Sequence, residues 1–128
     1  MGFDSLTVKE KAKLVNLLDK LQGDLFGWQL HNFTEHGLIG EVNSDHLALG
    51  VGEEAGELQH AQLKMSQGIR GDKQKHISEL LDAAGDINIY LMNLLSRHNL
   101  RLSIALLGAW EEVSNRDWKK FPKNGVSE

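Results

Sequence analysis

The 128-residue chain is 41% hydrophobic and 25% charged, with 14 Lys and Arg against 18 Asp and Glu and no cysteine. These values predict one folded domain and exclude a disordered chain, a disulfide scaffold, a thiolate metal site and a cysteine nucleophile. Charged residues near the start, and the lack of any apolar run of about 18 residues, favour a cytoplasmic protein with no signal peptide and no membrane partner.

Apolar residues recur along the chain at spacings of three and four, and the single proline is Pro122, which favours helices throughout. We expect four helices, at about residues 7–33, 45–67, 73–98 and 101–120. Residues 34–43 contain two glycines among polar side chains and are predicted to form a loop. Residues 1–128 should therefore form one all-α domain, a bundle of four antiparallel helices.

The helix starts carry local capping signals. Thr7 and Glu10 have the spacing of a capping box at the first helix. Ser44 or Asp45 can cap the second helix, and Asp72 can cap the third, because short polar side chains bond the free N–H groups of a first turn.

The charge is distributed unevenly. Residues 21–63 contain seven acidic residues and no Lys or Arg, whereas residues 87–128 are net positive. A nucleic-acid face needs clustered cations, so we expect no nucleic-acid partner. Carboxylates collected in one region are suited instead to binding cations.

Glu54 lies on the apolar stripe of the second helix, between Val51 and Leu58. A carboxylate in that position is costly unless it is paired or binds a cation. Glu57 follows one turn later and Glu53 precedes it by four residues, so this run offers at least two convergent carboxylates.

The third helix carries Glu79, Asp82 and Asp86 at steps of three and four, which places them on one face. Two acidic helix faces with only oxygen ligands suit hard divalent cations such as Mg²⁺ or Mn²⁺. The alternative is an ordinary solvated acidic surface with lysine partners. That alternative explains the lone acids well but explains Glu54 poorly.

The second helix also has three positions without a side chain, at Gly50, Gly52 and Gly56. Glycine in a helix interior costs about 1 kcal/mol relative to alanine. Three in one helix predict that a neighbouring backbone or a ligand approaches closely there.

The motif Glu53-Glu54-Ala55-Gly56-Glu57 is an EExxE, and a second acidic motif, Asp82-Ala83-Ala84-Gly85-Asp86-Ile87, follows on the next helix. With this pair, most of the chain resembles the MazG-like nucleotide pyrophosphohydrolases, an all-α group that includes the dimeric dUTPases and phosphoribosyl-ATP pyrophosphohydrolases. Further segments are similar to the family's first and last helices: Leu21-Gln22, Trp28, Asn32-Phe33 and Arg116-Asp117-Trp118-Lys119.

The second motif departs from the family pattern, which is usually ExxD, because Ala83 stands three residues before Asp86. Either Asp82 substitutes, or Glu79 and Asp82 form an ExxD one turn earlier. The Ile-x-x-Tyr-Leu continuation after Asp86 favours Asp86 with Asp82, and the fourth ligand stays open among these three acids.

The resemblance implies hydrolysis of a (deoxy)nucleoside triphosphate between the α and β phosphates, giving monophosphate and pyrophosphate, in house-cleaning of nucleotide pools. It implies Mg²⁺, or Mn²⁺, held by Glu54, Glu57, Asp82 and Asp86. The catalytic carboxylates would be Glu53, Glu54 and Glu57, with Glu53 orienting or deprotonating water.

Substrate contacts follow from the same resemblance. The candidates for phosphate contacts are Lys64, Arg70, Arg116 and Lys119. The candidates for base and sugar contacts are Gln22, Trp28, Asn32 and Tyr90, although core packing is an equal alternative for Trp28 and Tyr90. Family members assemble from several copies, which implies a homodimer or homotetramer. The alternative function is a non-catalytic helical interaction module with the same fold.

Overall fold

The computed structural model describes residues 2–33 and 43–128, which form helices and contain no strand. The elements are a short 3-10 helix at Phe3–Ser5, α1 (Val8–Phe33), α2 (Ser44–Gln67), α3 (Lys73–Arg97) and α4 (Leu102–Ser114). The all-α class is confirmed, and the first three helices match their predicted bounds to within one residue. The predicted loop, apart from Asn43, lies outside the described residues. None of the described helices combines the length and hydropathy that a membrane span requires.

The capping box at α1 is confirmed. The Thr7 N–H donates to Glu10 Oε2 at 2.8 Å, and the Glu10 N–H donates to Thr7 Oγ1 at 3.1 Å. Asp72 caps α3 as predicted, since its Oδ1 accepts from the Lys75 N–H at 2.8 Å. Each bond satisfies an N–H group that the first helical turn leaves free.

The predicted cap of α2 is wrong. Neither Ser44 nor Asp45 caps the helix, because both are already within its first turn. The cap is Asn43, which has extended backbone angles and accepts the His46 N–H on its Oδ1 at 2.8 Å. The prediction was displaced by one residue because asparagine, serine and aspartate all have the chemistry of a cap.

The last helix is shorter than predicted, since α4 ends at Ser114 rather than near residue 120. Asn115 Nδ2 donates to the Glu111 carbonyl at 2.7 Å, and Asp117 Oδ1 accepts the N–H groups of the two lysines that follow it, at 3.1 and 3.0 Å. The Asp117 N–H donates to the carbonyl of Gly125 at 2.8 Å. Short polar side chains thus replace helical hydrogen bonds with local ones, and the chain turns.

α2 and α3 form an antiparallel hairpin with the most extensive packing in the described chain. Gly68 ends α2 in the left-handed conformation, at φ 69°, and its N–H donates to the Lys64 carbonyl at 3.0 Å. Beyond the turn, His76 Nε2 lies 2.9 Å from the carbonyl of Ile69. At the far end of the hairpin, Gly50 packs against the ring of Tyr90.

α4 does not fold back beside α3 as an antiparallel bundle requires, and this part of the fold prediction is wrong. Asp19 Oδ1, near the middle of α1, accepts a hydrogen bond from Ser103 Oγ at 2.5 Å, and Trp110 Nε1 lies 3.4 Å from Asp4 Oδ1. α4 therefore runs toward the start of α1. Because α3 is also antiparallel to α1, the two helices follow one another along it, with a break at Asn99, where φ is 57°.

Apolar burial is concentrated in the hairpin. The fully buried apolar side chains of the described residues all lie on α2 and α3: Leu47, Ala61, Ala83 and Met92. In contrast, α1 and α4 each carry large apolar residues that share one side of their helix by spacing and are between 43% and 57% exposed: Leu14, Leu17 and Leu21 on α1, and Leu106, Trp110 and Val113 on α4. We call these six residues the α1–α4 apolar face.

Of the three glycines of α2, only Gly50 is approached closely by a described residue, and the neighbour is the ring of Tyr90, which a Cβ would overlap, rather than a backbone or a ligand. At Gly52 a Cβ would meet no atom within 4 Å. We therefore expect Gly50→Ala to lower the free energy of unfolding by about 1–3 kcal/mol through overpacking. Gly52→Ala should raise it by up to about 1 kcal/mol through helix propensity. Urea denaturation measures both, and equal stability of the two variants would contradict the packing of Tyr90 on Gly50.

Candidate metal centre and adjoining cavities

One turn of α2 brings three carboxylates together. Glu53, Glu54 and Glu57 each offer an oxygen, and these oxygens all lie within 4.8 Å of one another. Glu53 and Glu57 are exposed, whereas Glu54 is half-buried on the face that packs against α3. The helical spacing of one, three and four residues produces this convergence without any long-range contact.

Glu54 is the electrostatic centre of the group. Its Oε2 is buried and has no hydrogen-bond partner among the described residues. Burial raises the pKa of Glu54, and the negative charges of Glu57, Asp86 and Glu53 raise it further. Among the described residues, the charged groups that shift this pKa are all carboxylates, and the oxygens of Glu53, Glu54 and Glu57 fit a hard divalent cation.

The antiparallel register places the acids of α3 opposite this group. Asp86 is near enough to Glu54 to raise its pKa, and Asp82 lies with Glu57 along one cavity. Neither aspartate belongs to the 4.8 Å group itself. Of the acids on α3, Asp86 is therefore the one that acts on Glu54, and Asp82 lies beside Glu57 along the smaller cavity.

Glu79 already has partners on its own helix. Lys75 Nζ lies 3.4 Å from Glu79 Oε1, and His76 Nδ1 lies 3.5 Å from Oε2. Burial raises the pKa of Glu79, but the hydrogen bonds and charges of His76 and Lys75 outweigh it and lower the pKa overall. Its charge is therefore compensated, unlike that of Glu54.

Two cavities flank the carboxylates. The smaller, of about 430 Å³, is lined by Glu53, Glu57, Asp82 and Glu79, together with Gly56 and His60. The larger, of about 830 Å³, lies between α1, α2 and α3 and has mainly apolar walls, with Glu53, Glu54 and Asp86 among its lining residues. Glu53 lines both, so a ligand that occupies either cavity meets the carboxylates.

Both predicted aromatic contacts line the larger cavity. Trp28 is 55% exposed and lies edge-on to Phe33, with ring centroids 5.8 Å apart. Tyr90 is half-buried on Gly50 and also lines the cavity, so it has both a packing role and a position beside any ligand. Asn32 lines neither cavity, and its Nδ2 donates to the Trp28 carbonyl at 2.8 Å.

Gln22 is used by the fold. It is 4% exposed, and its Nε2 donates to the carbonyls of Met92 and Leu100 at 3.2 and 2.9 Å and to Ser96 Oγ at 3.0 Å. Its Oε1 accepts the Leu102 N–H at 2.9 Å. The side chain thus joins α1 to the end of α3 and the start of α4 and lines neither cavity.

We expect Gln22→Leu to lower the free energy of unfolding by at least about 2 kcal/mol, because several buried groups lose their partner at about 1–3 kcal/mol each. The KM of the remaining folded protein for a nucleotide should not change. Gln59→Leu makes the same chemical change at an exposed position of α2 and should leave stability unaltered. A raised KM without loss of stability would instead identify Gln22 as a substrate contact.

The four predicted cationic contacts are not brought to the carboxylates, since none of them lines either cavity. Lys64 Nζ donates to Gln67 Oε1 at 2.8 Å, at the end of α2. Arg70 lies in the turn after α2, at φ 63°. Arg116 pairs with Glu112 at 2.8 Å, and Lys119 follows in the C-terminal turn. Among the side chains of the described chain that line the two cavities there are several carboxylates and two histidines, but no lysine or arginine.

Gln29 lines the larger cavity and was not among the predicted site residues. A usable signal existed, because Gln29 stands four residues from both Leu25 and Phe33 on the apolar face of α1. A polar residue on an apolar face was the same signal that identified Glu54. His46 also lines this cavity, and no spacing in the sequence indicated it.

Comparison with protein-family models, curated proteins and solved structures gives no match for this chain. Its function has therefore to be inferred from the motifs and from the geometry of the carboxylates and cavities.

Proposed function

We propose that the protein is a Mg²⁺-dependent hydrolase that converts (deoxy)nucleoside triphosphates to monophosphate and pyrophosphate. The observation that carries the proposal is the buried Oε2 of Glu54, which has no hydrogen-bond partner among the described residues and lies in a group of three convergent carboxylates. A carboxylate with one oxygen buried beside other carboxylates is retained at a cost to stability, which is typical of groups that act on a ligand. The EExxE motif that contains it supports the same chemistry.

In this proposal the protein's side chains do three things. Glu54, Glu57, Asp82 and Asp86 hold the cation. When bound, a divalent cation would neutralise the phosphate charge and, as a Lewis acid, activate the phosphoryl group and water. Glu53 is exposed on the boundary of both cavities, where it can orient a water molecule and accept its proton. Since phosphoryl chemistry depends mainly on positioning and charge, no side-chain nucleophile is required.

No lysine or arginine of the described chain lines either cavity, so in this proposal the cation would have to neutralise the phosphate charge. The same feature also supports the alternative, a non-catalytic interaction module that uses the α1–α4 apolar face to bind another protein. Both hypotheses make clear predictions for the purified protein.

The test is to incubate the protein with a panel of dNTPs and NTPs, with Mg²⁺ or Mn²⁺, and to separate the products by anion exchange. We expect monophosphate and pyrophosphate in equal amounts, and no turnover when EDTA is present. Diphosphate with phosphate would contradict cleavage between the α and β phosphates. No turnover with any nucleotide would favour the interaction module.

We further propose that the working protein is a homodimer or homotetramer in which a second copy covers the α1–α4 apolar face. The accessible surface of one chain is 9556 Å². A compact monomer of 14.3 kDa should expose only about 6,800 Å². The excess is larger than the ~800 Å² that each partner buries in a standard interface. The location in the cytoplasm stays a prediction.

A further inference from the structure

The C-terminal turn, residues 115–128, contains an asparagine that is followed by a glycine. Asn124 precedes Gly125, and no other asparagine of the sequence precedes a glycine. Because glycine has no side chain, its backbone nitrogen approaches the preceding carboxamide with little hindrance. The favoured position for spontaneous deamidation of this chain therefore lies outside the carboxylates and the two cavities.

Deamidation at this position is a reaction of the chain with itself and one water molecule. The backbone nitrogen of Gly125 gives up its proton and attacks Cγ of Asn124. The bond from Cγ to Nδ2 then breaks, and Nδ2 leaves with one added proton as ammonia. Water opens the resulting five-membered imide at either of its carbonyl carbons. One opening gives aspartate, and the other gives isoaspartate, in which the main chain passes through Cβ and Cγ.

The structure holds both reacting groups in hydrogen bonds. Asn124 Oδ1 accepts the N–H groups of Val126 and Ser127, each at 2.9 Å, and Asn124 Nδ2 donates to Ser127 Oγ at 3.1 Å. The Gly125 N–H donates to the carbonyl of Phe121 at 2.8 Å. Attack requires the glycine nitrogen to lose this bond and the carboxamide to turn toward it. The reaction therefore has to wait for local opening of the turn.

Gly125 is also a fixed point of the C-terminal turn. It is buried, its φ is 80°, and its carbonyl accepts the Asp117 N–H at 2.8 Å. A Cβ added to it would lie 2.9 Å from Arg116 Cβ and 3.2 Å from Trp118 Cε2, so there is no free space around it. Isoaspartate lengthens the main chain by one methylene directly before this residue. The modified chain cannot then keep Gly125 in its bonds and under the indole of Trp118.

We propose that Asn124 is a modification site whose reaction is controlled by the C-terminal turn. Asn124 deamidates when the turn opens, and isoaspartate then prevents the turn from closing again. The modification also adds one negative charge to a segment that is net positive. The inference is independent of the proposed hydrolase function, because it uses none of the carboxylates of α2 and α3 and neither cavity.

The first test ages the full-length protein at mildly alkaline pH, folded and in urea, and locates modified asparagines by peptide mapping with mass spectrometry. We expect Asn124 to react first, and about tenfold or more slowly in the folded protein than in urea. Asp117→Ala removes the acceptor of two N–H groups of the turn, so it should raise the folded rate toward the rate in urea. Ser127→Ala, which removes the partner of Asn124 Nδ2, should raise it as well. Asp24→Ala is the matched control on α1 and should react as the wild type does.

The second test measures what the modification does to the turn. The isoaspartate form, separated by anion exchange, should emit tryptophan fluorescence at a longer wavelength, because Trp118 loses its contact with Gly125 and meets more water. Trp118→Phe should show no such shift on ageing. Asn124→Gln should neither react nor shift, because glutamine would have to form a six-membered ring.

Three results would overturn the inference. Equal rates in the folded protein and in urea, or unchanged rates in both Asp117→Ala and Ser127→Ala, would contradict control by the turn. Earlier reaction at Asn43, which precedes serine, would contradict the site. Unchanged emission of the isoaspartate form would contradict its effect on the turn.

Discussion

Glu54→Gln should abolish the metal-dependent hydrolysis, lowering kcat/KM by about 100-fold or more. Mutation of a residue that only hydrogen-bonds to a metal ligand lowers metal affinity or activity by about 10–100-fold. Glu54 is assigned as a ligand itself, so its loss should cost at least as much. The substitution keeps the size of the side chain and removes its charge, so the fold should be retained. Steady-state assays with Mg²⁺ measure the effect. Asp24→Asn, which removes an exposed carboxylate elsewhere on α1, is the control and should retain full activity.

The same variant should be at least as stable as the wild type when EDTA removes metal. Burial and the neighbouring carboxylates raise the pKa of Glu54 above its ordinary value of 4.5. A carboxyl group with a raised pKa stabilises the fold below pH 4.5, and this contribution is lost as the pH rises through the folded-state pKa. Urea denaturation at a series of pH values from 4.5 upward should therefore show that the free energy of unfolding of the wild type falls as the pH rises. The fall should be smaller in Glu54→Gln. Full activity of the variant, or clearly lower stability at neutral pH, would contradict the metal assignment.

Leu106→Glu should convert the assembled protein to monomers. Leu106 is 57% exposed in one chain, so glutamate is tolerated there by the isolated fold. Against a second copy, an unpaired buried charge costs about 3–5 kcal/mol, which weakens association by roughly two to four powers of ten. The Tm should fall as well, because assembly stabilises the folded chain by mass action.

Light scattering coupled to size exclusion measures the mass of this variant. Leu63→Glu is the matched control, since Leu63 is similarly exposed on α2 and outside the α1–α4 apolar face. Its mass should equal that of the wild type. A monomeric wild type at micromolar concentration would contradict the assembly, and an unchanged mass of Leu106→Glu would contradict the assignment of the face.

The parts of the fold that depend on local chemistry were predictable from the sequence. The capping box of Thr7 and Glu10 and the cap at Asp72 involve residues three apart, so the start of a helix can be read directly. The direction of α4 could not be predicted. It depends on contacts between Asp19 and Ser103, more than 80 residues apart, and periodicity does not encode which helix an apolar face will meet.

The residues of the candidate site were likewise predictable only where their positions depend on local spacing. Glu53, Glu54 and Glu57 converge within one turn of one helix, so spacing alone identified them. Gln22 and Gln29 both lie on α1, and only the tertiary structure shows that the first is fully hydrogen-bonded and the second lines the larger cavity. Arg116 and Lys119 were candidates because of their positive charge and one-turn spacing, but neither lines a cavity, and Arg116 pairs with Glu112.

The most direct measurement of the metal centre is a titration of Mn²⁺ into the metal-free protein, followed by the electron paramagnetic resonance signal of the free ion. The wild type should remove at least one Mn²⁺ per chain from solution, and Mg²⁺ should compete for it. Glu54→Gln should bind much more weakly, and Asp24→Asn should bind as the wild type does. Equal binding by the wild type and Glu54→Gln, or none by the wild type, would contradict a metal site at these carboxylates.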